Sequence, residues 1–189
     1  MRRHIGAFAT ASAIVASFVF ALSVIRSQHI SSAISDEEYG LYSAWTQSHF
    51  SKKPPQGQLY VLDRTFKFDP TEQTGGCRQP TVETVRVSAS LTRQLADLGD
   101  AEYLFNGYPP ANFRLPWKFA LVDASPDLEP GTFHLVAFSR VAFNWNHTKA
   151  LFAVSDACAG GECGRGGVVY AYKQEGRWLL KPTNCFWLY

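Results

Sequence analysis

A chain of 189 residues, 46% hydrophobic and only 18% charged, has the apolar material for one packed domain and lies outside the disordered class. Its formal charge of +2 is misleading: of 18 basic residues, Arg2, Arg3 and Arg26 flank an apolar N-terminal stretch, leaving 15 scattered basic residues against 16 acidic ones. That excludes the clustered cationic footprint of a nucleic-acid partner, and 14% aromatic content with a single Met favours a rigid, sheet-built core.

The first element is the uncharged stretch from Ile5 to Ile25, preceded by Arg2 and Arg3. A cleaved signal carries about 7–15 apolar residues and a spanning helix about 20, so 1–26 fits a signal peptide or a signal anchor. Ala21-Leu22-Ser23 and Ser31-Ser32-Ala33 offer small-residue cleavage sites. Either way the arginines are expected to stay cytoplasmic and the rest to cross the membrane, to a periplasmic or extracellular site. The membrane is then a partner only through residues 5–25, if they are retained. Residues 27–34 read as a polar spacer, and 35–189 as a single globular domain.

Ser35 followed by Glu38 forms a capping box, and Asp36 and Glu37 suit a first helical turn. Leu41, Tyr42, Trp45 and His49 then share one helical face that should bury against a sheet, before Pro54-Pro55 ends the helix. Gln58–Phe68 and Thr81–Val87 read as strands. A short helix through Leu91, Leu95 and Leu98, capped by Ser90 and closed by Gly99, comes next. Asp100–Gly107 suggests a helical turn, and Trp117–Val122 a strand. Phe133–Phe143, Lys149–Ala157, Val168–Gln174 and Trp178–Lys181 follow as strand-like runs separated by turn signals, which predicts an antiparallel meander. The expected class is α+β: an N-terminal helix packed on a curved antiparallel sheet ending in a four-strand meander.

All four cysteines, Cys77, Cys158, Cys163 and Cys185, follow the apolar stretch, an even number suited to an oxidising compartment. Four cysteines allow three pairings. Cys158 and Cys163 bracket the short loop Ala159-Gly160-Gly161-Glu162 and are expected to bond, leaving Cys77 with Cys185 by elimination. Zinc is the competing reading, but neither the cysteines nor His49, His134 and His147 take a metal-ligand spacing, so no cofactor or metal is expected.

Candidate chemistry is sparse. The glycines and Arg165 of Cys158–Gly167 resemble an anion nest but lead into a strand rather than a helix, which favours a hairpin tip. Asp63, His134 and Asp156 sit in or beside strands and are the pocket candidates, an acid-base set only if at least two converge in one cavity. No nucleophile elbow accompanies Ser139 or Ser155. Asn146-His147-Thr148 matches a glycosylation sequon, relevant only in a eukaryotic secretory pathway.

The runs Phe138-Ser139-Arg140-Val141-Ala142-Phe143-Asn144 and Lys149-Ala150-Leu151-Phe152, the Cys158, Cys163-Gly164-x-Gly166 hairpin and Glu175-Gly176-x-Trp178 together resemble a group of exported bacterial proteins with no assigned activity. The resemblance covers about the last 55 residues, and more loosely the Ser35 helix with Asp63-x-Thr65. A weaker similarity, to cystatin-like and nuclear-transport-factor-2-like folds, implies a helix on a curved sheet and in some members a small-molecule pocket. The expected function is a non-enzymatic binding or envelope-associated module. Its alternatives are a pocket-bearing hydrolase or isomerase, or a secreted protease inhibitor presenting Gly160–Gly166.

Overall fold

Ser35 starts the first helix as its spacing predicts. In the computed structural model, which describes residues 33–55, 57–70, 77, 79–105, 112–123, 133–158 and 164–188, α1 spans Asp36–His49. The Glu38 amide donates to Ser35 Oγ, and the Ser35 amide donates to Glu38 Oε2 at 2.9 Å. Residues 5–25 lie outside the described residues, and among those described no helix is long and apolar enough to cross a membrane. Residues 33–189 form one compact unit.

After α1 come β1 (Gln58–Leu62), β2 (Thr81–Val82), β3 (Val85–Arg86), α2 (Ala89–Leu98), β4 (Phe119–Val122), β5 (Phe133–Phe138), β6 (Ala142–Phe143), β7 (Lys149–Cys158), β8 (Arg165–Gln174) and β9 (Arg177–Leu188). Seven strands make one mixed, mostly antiparallel sheet in the order β4-β1-β5-β7-β8-β9, with β6 also on β7, while β2 and β3 form a separate hairpin. The class is therefore α+β.

Two-residue alternation decides what each face of the sheet buries. Along β7, Ala150, Phe152 and Val154 join the core under α1, whereas Leu151 and Ala153 join a second core under α2. The helices thus cover opposite faces. Tyr42 is the hub of the first core, stacked on Phe138 at 4.5 Å with its hydroxyl donating to the Ser139 carbonyl at 2.8 Å. Burial, then the nearby Glu38 charge, pushes that phenol well above its ordinary pKa, so it remains a donor. Leu91, Leu95 and Leu98 anchor α2 against Leu151, Ala153 and Val168.

Several elements differ from expectation. The sheet is not purely antiparallel, because β1 pairs in parallel with both β4 and β5. Such pairing needs a long crossover, and the stretch between β1 and β4 holds α2. The predicted strand 58–68 stops at Leu62, after which Phe66 N–H donates to Phe138 C=O. Thr81–Val87 folds back on itself at Glu83, whose φ is +58°. The cap residue of α2 is Ser88 rather than Ser90, and Asp100–Phe105 carries no helix. Gly99 closes α2 for a steric reason: a Cβ there would strike the Phe68 carbonyl.

The run 133–143 is split at Ser139, which interrupts the ladder: its hydroxyl donates to Arg140 C=O and accepts from Ala153 N–H. β9 runs to Leu188, past Pro182 and Asn184. An edge strand tolerates Pro because one row of its backbone groups needs no ladder partner, and the irregular register between Gly167 and Val169 absorbs the mismatch. The β8–β9 turn, Glu175-Gly176, has φ of +52° and +75°, the signature of a tight two-residue hairpin.

Candidate functional site

Asp156 is an acid within an otherwise apolar strand, and an ionised carboxylate buried there must find partners. It is 3% exposed and has two imidazoles. His49, the last residue of α1, bonds Asp156 Oδ2 through Nε2 at 2.8 Å, and His134 on β5 bonds Oδ1 through Nδ1 at 3.2 Å. Register explains the meeting: Val136 faces Asp156 across the β5–β7 ladder, and His134, two residues away, lies on the same face. The guanidinium of Arg165, on the β8 residue paired with Asp156, approaches from the rim, its Nη2 3.1 Å from His49 Nε2. The short Asp156 contact assigns the His49 proton to Nε2, donating to the carboxylate.

Aromatic rings enclose this centre. Trp45 stacks on His49 at 4.5 Å, and Phe50 meets His49 edge-on at 4.8 Å and His134 at 5.0 Å. Of the three candidates, the structure brings together His134 and Asp156 and places Asp63 elsewhere. Asp63 lies just beyond β1, accepting from Arg64 Nε at 2.9 Å. His49 is the participant that sequence reasoning assigned only to a packing face. The available signal was an acid in an apolar strand without a local partner and a His at the end of the first helix's packing face. His134 Nδ1 against a carboxylate is an acid-base geometry, while Asp156 Oδ2 holds α1 to the sheet through His49 and Oδ1 ties β7 to β5 through His134. Among the described residues no cluster of His, Cys, Asp and Glu could hold a metal.

The opposite face carries a cleft. The β2–β3 hairpin is tied to the edge strand by Thr81 N–H donating to Asn184 Oδ1 at 2.7 Å and by a Lys181–Glu83 contact at 3.3 Å. Beneath it lies a cleft of about 370 Å³ lined by Tyr170, Tyr172, Lys149, Lys181, Arg86 and Leu91 among others. Tyr170 and Tyr172, two apart on β8, present rings inclined by 28° with 6.1 Å between centroids. Lys149 pairs with Tyr172 and Lys181 with Tyr170 across neighbouring ladders, so a cation flanks each ring. Burial, then Tyr172, raises the pKa of the Tyr170 phenol and keeps its proton. A wider groove of about 550 Å³ beside α2 mixes Arg86 and Arg93 with Asp97 and Asp100.

Cys77 and Cys185, both buried, are bonded across a separation of 108 residues, the pair expected by elimination. Cys158 is also disulfide-bonded. Its expected partner Cys163, and most of the Gly160–Gly166 loop on which the inhibitor reading rests, lie outside the described residues. No family model, no curated protein and no solved structure matches the chain.

Proposed function

We propose that this is an exported domain, of the kind its C-terminal motifs resemble, that works by binding on the outer side of a membrane. The observation that carries the reading is the buried Cys77–Cys185 bridge. Reducing cytosol does not sustain structural disulfides in most organisms, whereas exported domains rely on them. The uncharged stretch 5–25 behind Arg2 and Arg3 supplies the route. Binding is favoured because the tyrosine cleft joins apolar walls to Lys149 and Arg86, neither of which has a carboxylate partner among the described residues.

Intact mass of the chain recovered from its producing cells, alkylated before and after reduction, tests this. The expected result is no alkylation before reduction and four alkyl groups after it. Four groups before reduction would overturn export. A hydrolase or isomerase reading draws on one observation, the His134–Asp156 pair. It requires turnover of an ester or ketone panel that disappears in His134→Gln while the fold persists.

A further inference from the structure

Lys149, Lys181 and Arg86 bring three positive charges to the cleft under the β2–β3 hairpin, and Glu83 is the acid that meets them, engaged with Lys181. Neither Lys149 nor Arg86 has a carboxylate partner among the described residues. Between these cations the lining is apolar: Val82 and Val87 of the hairpin segment, Leu91 of α2 and the rings of Tyr170 and Tyr172. Val85, 70% exposed, extends the apolar rim. The volume falls in the range of small-molecule sites, about 300–1,000 Å³. Such sites combine apolar walls with a few convergent polar groups, and here those groups are two phenols and the cations. Among the described residues the hairpin roof meets the edge strand through two solvent-exposed polar ties, Thr81–Asn184 and Glu83–Lys181.

We propose that this cleft binds a small organic anion with a planar or apolar body, such as an aromatic carboxylate or sulfonate. Its charge lies between Lys149 and Arg86, and its body lies against Tyr170 and Tyr172. The ring faces supply contact area at little conformational cost, and a phenol that keeps its proton donates to the anion. This deepens the binding reading above and rests on it.

The test is titration calorimetry on the full chain as recovered from its producing cells, with 2-naphthalenesulfonate and its neutral counterpart 2-naphthalenesulfonamide. The expected result is saturable one-to-one binding of the sulfonate, at least tenfold tighter than the sulfonamide. The preference should vanish in the double variant Lys149→Glu/Arg86→Glu, whose exposed positions leave folding intact. Tyr172→Ala should weaken both probes. Equal affinity for the two probes, still weakened by Tyr172→Ala, would overturn the anion assignment and leave a binding cleft standing. No saturable heat from either probe, in protein whose four cysteines are oxidised, would overturn the cleft itself while export stood.

Discussion

The two ends of α1 are fastened to the same sheet by different chemistry. At the N-terminal end a permanent ion pair is buried: Arg140 Nε donates to Glu38 Oε1 at 2.8 Å, with the guanidinium over the Tyr103 ring. Glu38 also caps its own helix and accepts from the Val141 amide. At the C-terminal end one carboxylate is shared by two imidazoles within an aromatic cage. The first clasp makes Glu38 answerable for several donors at once. The second spreads the load over Asp156, His49 and His134, with the open flank at Arg165. The difference teaches that a buried carboxylate is costly to lose in proportion to the charge its loss strands.

The largest effect should come from Glu38→Ala, which strands Arg140 and removes the capping box. We expect a loss of about 3–5 kcal/mol by urea denaturation. Glu38→Leu combined with Arg140→Met should recover most of it, since an apolar pair leaves no uncompensated charge. At the other end, Asp156→Ala should cost about 1.5–3 kcal/mol by the same measurement, because the orphaned imidazoles can be neutral. Equal losses at the two ends would break the comparison.

His49→Phe keeps the ring against Trp45 and forfeits one bond to Asp156, so about 1 kcal/mol is expected. A helix detached at its C-terminal end, seen as faster amide exchange over Trp45–His49 alone, would sharpen the contrast. The smallest effect concerns Glu37, at the N-terminal end. Burial raises its carboxyl, but hydrogen bonds from Lys173 and His147, together with their charges, outweigh that and hold it below the ordinary glutamate value. A depressed carboxyl contributes stability above its unfolded pKa and loses it as pH falls through the folded one. Glu37→Gln should therefore flatten the acid limb of the stability profile while changing neutral stability by under about 1 kcal/mol.

Local rules were readable from the residues alone. The Ser35–Glu38 box acts over three positions, and the apolar spacing of Leu91, Leu95 and Leu98 over seven, so both helices were visible. Cys77–Cys185 was reached only by elimination. His134 and Asp156 could be named because polar residues in apolar strands demand partners. Their meeting with His49 could not be foreseen, because it depends on the β5–β7 register and on where α1 ends. The same limit hid the parallel pairing of β1, the length of β9 beyond Pro182, and the tyrosine cleft, which unites β3, β7, β8, β9 and α2.

By itself, then, the sequence determined where α1 begins, which residues are apolar and which cysteines were available. Those are properties of neighbouring residues and of composition. Only the tertiary structure decided which face each helix covers and that Asp156 sits between two histidines. It also decided that Lys149 and Arg86 share a cleft with Tyr170 and Tyr172. Strand register is a long-range choice, and shifting it by one residue exchanges the two faces of a strand.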